Sequence, residues 1–327
     1  MHDICVPKCV ITYRMPLSRK RRLPLVREAD VSGRTLEIYQ EIKSALGVPH
    51  VNVIFQAYGV YPRFLDLMWK TMQSAVETLD FFRFADRLRA EAYTSTHNYF
   101  SIPDLCYSIR EVHFSVGAQH ELTDAVELFH YNNPLLLLIA ATQLQAFEDG
   151  PIHHRTAPTG ADHPVFTQKF VKITEEAAPL PIRKIYEEMK RILGVSFINT
   201  DYQTFARWPD FLTLYWNALK PVVSSPVYGE SQHALRESAL LLASDLPNAP
   251  RLSVEHMQEA GLTDEEISPV IHITEEFLEL LAGLVQNIAF AKIALEGGNR
   301  FQAPARPEKR PEQMPQRAQS DHPERAA

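Results

Sequence analysis

The residues able to do chemistry in this sequence are exposed by a repeat. Residues 38–69 and 185–216 align without a gap at an offset of 147, with 14 identities in 32 positions. Chance at average residue usage would give roughly two. One aligned position changes its chemistry outright: Asp201 stands where the first copy has Ile54. Asp201 and Phe205 match Ile54 and Tyr58 at i and i+4, on one face of a helix. If that face is core-facing, Asp201 presents a carboxylate where its twin presents an aliphatic group. A buried carboxylate without a cation is costly, so its pKa rises and it becomes a base poised nearer neutrality. The competing reading makes Asp201 a second-turn surface residue, or part of a capping set with Asn199 and Thr200. Thr200, opposite Val53, offers a hydroxyl to an anion alongside the amides around 199–202, or caps the helix. Asn52 and Asn199 are identical in the two copies and read as N-caps. Arg207, opposite Val60, follows the helix end and reads as solvated.

A second candidate is the stretch Phe129, His130, Tyr131, Asn132, Asn133, Pro134, which leads into an apolar run. Asn133 precedes proline, so an extended conformation is expected there. Its amide either holds a water opposite the base or forms an Asx-type turn. His153, His154 and His163 lie near Asp162 in a polar linker, without the i, i+4 helical pair and Glu of a zinc protease, so no metal site is expected. GxSxG, GxGxxG and Walker-type loops are absent, and no cofactor is expected. Cys5 and Cys9 are four apart, which is not a CxxC redox pair, and Cys106 stands alone.

The elements positioning these residues are helical. Leu36, Tyr39, Ile42 and Leu46 are spaced 3, 3 and 4. Gly47 and Gly194 sit where helices would end in left-handed caps. A second helix from Asn52, or Asn199, should end before Pro62, or Pro209, which then opens the next helix. Segments 80–93, 123–147, 233–245 and 263–294 also read as helices. No segment alternates convincingly, so the expected fold is all-α. It is read as two tandem repeats of about 130 residues, packed as a fused dimer about a pseudo-twofold axis. Leu122-Thr123-Asp124 recurs as Leu262-Thr263-Asp264 and is taken as a late landmark of each copy. The divisions are a loose extension at 1–29, repeat 1 at 30–144, a linker at 145–180, repeat 2 at 181–300 and a disordered tail at 301–327. The tail holds five of the 23 prolines and almost no large apolar residue.

Composition narrows the function classes. The 327 residues are 45% apolar and 22% charged, and the formal charge of −7 argues against a surface given over to nucleic acid. The longest apolar run, Leu135 to Ala141, is seven residues. No membrane-spanning helix is expected from it. The cluster Arg19, Lys20, Arg21, Arg22 is followed by no apolar stretch of signal-peptide length, so no signal peptide is expected. Three cysteines fit a reducing, cytoplasmic setting.

On these residues the sequence resembles the group I 2-haloacid dehalogenases, the DehI-like family acting on D- or DL-2-haloacids. The resemblance covers about 29–297. It rests on Asp30-Val31-Ser32-Gly33, on Leu46 to Pro49, on the FxYxNP stretch Phe129 to Pro134, and on the DxQxxxxWP stretch Asp201 to Pro209. It implies an all-α, doubled, cofactor-free hydrolase with a small 2-haloacid as its partner; a further homodimerisation is left open. Asp201 would activate water for direct attack on C2, displacing halide with inversion and without a covalent ester. Asn133 would help hold that water. The substrate carboxylate would sit near Thr200, with Asn199, Tyr202, His50, Val53 and Phe277 around it. His50 and Val53 replace an aromatic pair of relatives, Asn199 a small residue, and Phe277 a tyrosine, so the pocket lining is altered. The alternative is a noncatalytic or differently specific helical relative that binds another small carboxylate; a thiol peroxidase on a related fold is a weaker third.

Overall fold

The computed structural model describes residues 23–112, 114–148 and 155–299. Cys5, Cys9, the basic cluster at 19–22, His153, His154 and the tail from 301 lie outside the described residues. Among the described residues there are twelve α-helices and no strand beyond one isolated bridge, so the fold is all-α. After a 3-10 turn at Glu28–Asp30 come α1 (Gly33–Leu46), α2 (Val53–Tyr58), α3 (Pro62–Val76), α4 (Leu79–Tyr99), α5 (Leu105–Glu111) and α6 (Val116–Phe147). They are followed by α7 (Leu180–Leu193), α8 (Thr200–Phe205), α9 (Pro209–Val223), α10 (Pro226–Ser244), α11 (Val254–Glu259) and α12 (Asp264–Leu295).

The boundaries follow local chemistry. Pro62 and Pro209 occupy first-turn positions, where a missing N–H costs nothing. Ser115 Oγ accepts from the Ala118 N–H at the start of α6, and Thr263 with Glu266 forms a capping box at the start of α12. Gly47 ends α1 with φ +64°. It has a second reason to be glycine: a Cβ there would lie 2.2 Å from the Pro164 carbonyl oxygen. Residues 163–166 cross the helix end at that point, and the Phe166 N–H donates to the Gly47 carbonyl at 2.8 Å.

The two 32-residue helices, α6 and α12, pack against each other along the centre, with α4 and α10 laid across them. α12 has the length and hydropathy of a membrane span. Of its most apolar 18-residue window, however, 78% is buried inside the protein, as in a core helix. The seven-residue run of the sequence is therefore a poor guide, because core helices interrupt their apolar residues with small and amide side chains. Residues 23–29, expected to be loose, are anchored: the Val26 N–H donates to the Gln56 carbonyl, and Lys43 pairs with Glu28.

Two expectations are corrected. Asn133 is not extended, because α6 runs unbroken through Pro134. An interior proline costs a helix roughly 3 kcal/mol. Here an uninterrupted buried stretch from Leu128 to Gln143 outweighs the local preference. The match of residues 122–124 to 262–264 is not structural. Leu122 lies inside α6, with the Thr123 hydroxyl bonded back to the Gln119 carbonyl, whereas Thr263 caps the start of α12. The two long helices start 148 residues apart, not 140.

Candidate active site

Asp201 lies in the first turn of α8 and is 3% exposed. Ile54, in the first turn of α2, is equally buried, so the face is core-facing as the repeat suggested. Among the described residues no cation pairs with Asp201. Its Oδ1 accepts from Asn133 Nδ2 at 2.9 Å. Burial pushes the carboxyl up from an ordinary 3.8 to about 6, against the opposing pull of the Asn133 amide and its own backbone N–H. An acid in this state ionises below neutral pH yet holds its charge poorly, which is the condition of a general base.

The helical course of α6 explains how Asn133 reaches it. Consecutive helical side chains point about 100° apart. Asn132 therefore turns to α2, where it and Asn52 exchange amide hydrogen bonds of 2.9 and 3.3 Å. Asn133 turns to α8 and the carboxylate. Neither Asn52 nor Asn199 caps its helix through its side chain, although both occupy the cap position.

Asp201 faces a cavity of about 30 Å³, sufficient for a water. Asn52, Asn133, Asn199 and Thr200 are its polar walls, and Val53, Ile54, Phe129, Leu136 and Phe277 its apolar ones. Leu280, Leu281 and Leu284 of α12 complete it. The structure thus gathers Asp201, Asn133, Thr200, Asn199, Val53 and Phe277. Two expected residues are not in this cavity. Tyr202, one position beyond Asp201, is rotated away; its hydroxyl accepts from Asn287 Nδ2 at 2.9 Å, beside Tyr228. His50 lines a larger neighbouring cavity and meets Phe129 edge-on. Asn52 and the three α12 leucines escaped the sequence reading. An offset of 148 for the late helices would have found the leucines, since it carries Asn133 onto Leu281 and Leu136 onto Leu284.

Among the described residues no group of three or more His, Cys, Asp or Glu is arranged around a metal. His163 is structural, stacked on Phe82 at 4.6 Å. Cys106 Sγ accepts from Gln119 at 3.1 Å. Arg207 pairs with Glu121 and lies over Trp208, away from the cavity.

The all-α fold of this chain has counterparts among solved proteins. It is similar to a D-2-haloacid dehalogenase mutant in complex with D-2-CPA (TM-score 0.78, 27% identity). It is likewise similar to a D-2-haloacid dehalogenase with L-LA (TM-score 0.76, 28% identity). In both cases 84% of this chain and 97% of the other are covered. Among curated proteins, an (R)-2-haloacid dehalogenase of Pseudomonas putida is 29% identical over 266 residues, covering 78% of this chain and 87% of that one. An (R)-2-haloacid dehalogenase of Rhizobium sp. (strain NHG3) is 25% identical over 243 residues, 73% and 95%. A family model described as Halocarboxylic acid dehydrogenase DehI matches residues 49–202. In sequence and in fold the chain thus resembles the 2-haloacid dehalogenases of the DehI type.

Proposed function

We propose that the protein hydrolyses short 2-haloalkanoic acids to 2-hydroxy acids. The observation that carries the reading is Asp201: a buried carboxylate without a cation, bonded to an amide, at the wall of a water-sized cavity. Asp201 takes a proton from water while the water oxygen bonds to C2. The carbon–halogen bond breaks, and its electron pair leaves with the halide. Asn133 fixes one carboxylate oxygen and leaves the other for the water. Thr200, at the start of α8, offers its hydroxyl to the substrate carboxylate. Apolar walls strip water from the nucleophile and keep the anion from being solvated. Attack opposite the halide inverts C2. The ligands of the related structures, one designated D and one L, are the pairing such an inversion requires. The reading needs no cofactor. The low cysteine count supports a cytoplasmic setting.

The same reading makes the molecule a fused pair of repeats about a pseudo-twofold axis through the cavity. Support comes from helix lengths: α1 and α7 have 14 residues, α2 and α8 six, α3 and α9 15, α6 and α12 32. It comes also from recurring bonds. Tyr39 donates to the Val26 carbonyl and Tyr186 to that of Ile173; Trp69 donates to Glu41 and Trp216 to Glu188. The cavity walls are themselves paired, Asn52 with Asn199, Val53 with Thr200, Ile54 with Asp201, and Phe129 with Phe277. The linker read at 145–180 joins the halves, its first three residues belonging to α6 and its last to α7.

Halide release from each enantiomer of 2-chloropropionate tests the reaction. Asn199 narrows one side of the cavity, so the D-enantiomer is the expected substrate, and Asn199→Ala should relax the preference. A single turnover in ¹⁸O-labelled water should place label in the product hydroxyl. Unlabelled first product would mean an aspartyl ester and would overturn direct attack; no halide from either enantiomer would overturn the reaction.

A further inference from the structure

Next to the Asp201 cavity lies a larger one of about 330 Å³. Val53 and Thr200 line both, forming the partition between them. Its walls are the segment around Arg27 and the segment around Lys172, each held by an equivalent bond. The Val26 N–H donates to the Gln56 carbonyl and the Ile173 N–H to that of Gln203, both at 2.9 Å. The wall residues also correspond at an offset of 147, and apart from Glu176, which brings a carboxylate opposite Ala29, the chemical differences have one sense. Lys172 stands opposite Leu25, Arg27 opposite Thr174, His50 opposite Phe197, and Thr200 opposite Val53. Each exchange replaces a neutral or apolar group by a cation or a hydrogen-bonding group.

The carboxylates on the same wall are already engaged. Glu28 pairs with Lys43 and Glu175 with Lys190, and Glu176 also has a partner. Among the described residues neither Arg27 nor Lys172 has a carboxylate at ion-pair distance. Glu28 attracts Lys172 across the cavity and Arg27 repels it, and the charge of Lys172 reaches His50, which burial keeps neutral. His50 Nε2 is buried without a hydrogen-bond partner among the described residues. With Glu28 and Glu175 each ion-paired to another lysine, Arg27 and Lys172 are the two cations of this lining that no ion pair occupies, and such cations attract a small anion.

We propose that this cavity is an anion-recruiting antechamber, in which Lys172 and Arg27 receive the carboxylate of an incoming 2-haloacid before it passes Val53 and Thr200 to Asp201. The proposal rests on the reaction read above only for the identity of the anion. An entrance of this kind raises the encounter rate of a small anion and leaves the chemical step alone.

The test compares the unmodified protein with Lys172→Leu, Arg27→Thr and the double variant, each giving one side the residue its counterpart carries. Halide release is measured at low and high ionic strength, and propionate binding by titration calorimetry. At low salt the double variant should show a KM raised about 10-fold, kcat within about twofold, and a flattened salt dependence of kcat/KM. Propionate should bind correspondingly more weakly, and Lys172→Glu should weaken it further. Normal KM with normal salt dependence, or propionate binding that ignores both residues, would overturn the antechamber while the hydrolysis stands. Charge-dependent propionate binding without halide release would overturn the hydrolysis while the antechamber stands.

Discussion

Replacing Asp201 by asparagine should make the protein more stable and nearly inactive. The substitution keeps the size of the side chain and an oxygen facing Asn133, and removes the charge. The folded protein raises this carboxyl from 3.8 to about 6. Between those values the folded state holds a proton that the unfolded chain has released, so the carboxylate reduces stability as pH rises through this window. Above pH 7 the full difference applies, about 3 kcal/mol at 1.36 kcal/mol per pKa unit. Near pH 4 nearly all of it is gone. The asparagine variant should therefore melt about 5 °C higher at pH 8 and within about a degree of the unmodified protein at pH 4. Its kcat should fall at least 10²-fold, the lower range for loss of a general base. Calorimetric melting across pH, beside halide release, checks both limbs. A variant that melts lower at pH 8, or gains the same amount at both pH values, would refute the argument that Asp201 is buried as a strained anion. Near-normal turnover would remove it as the base.

Other outcomes follow from the same geometry. In the unmodified protein the acid limb of the pH–rate profile should fall near pH 6, where Asp201 gains its proton. Asn133→Ala removes the amide that holds the pKa down, so that limb should move upward and kcat should drop by about 10²-fold; an unmoved limb would count against the Asn133–Asp201 bond. Ile54→Asp buries a second charge with no partner and should cost about 3 kcal/mol or more without creating a second site, as an unchanged melting temperature would deny. Gly194→Ala should cost only the left-handed strain of roughly 1–2 kcal/mol, since nothing lies within 4 Å of its Cβ. Gly47→Ala should cost clearly more, because the crossing segment at Pro164 must also move; equal losses in urea unfolding would contradict this.

What the sequence disclosed depended on whether a signal was local or relational. Asp201 was legible because its counterpart is Ile54: a change of chemistry at a matched position is visible without coordinates. The caps at Gly47 and Gly194 and the starts at Pro62 and Pro209 were legible because glycine and proline act through their own backbone. Asn133 was found for its amide but given the wrong conformation, since the pre-proline preference is small beside the burial of a whole central helix. Tyr202 and His50 were placed in the site by the family resemblance. Helical rotation sends Tyr202 to Asn287, and the partition of Val53 and Thr200 separates His50 from Asp201. The α12 leucines were hidden because a three-residue match fixed the late register eight residues too short.

The successive asparagines of α6 have a mechanical consequence. Pro134 deprives the helix of one ladder bond, to the His130 carbonyl, one residue beyond the Asn133 that holds Asp201. Asn132 and Asn133 grip two different short helices in directions about 100° apart. A twist of α6 that relaxed one grip would strain the other, so the pair fixes the angular setting of the helix as two pins fix a shaft. Side-chain ends lie about 5–6 Å from a helix axis, so a twist of only about 10° would carry Asn133 nearly 1 Å along its arc. Errors of that size at a reacting group cost turnover heavily. The amide pair between Asn52 and Asn132 therefore sets the tolerance within which Asn133 meets Asp201.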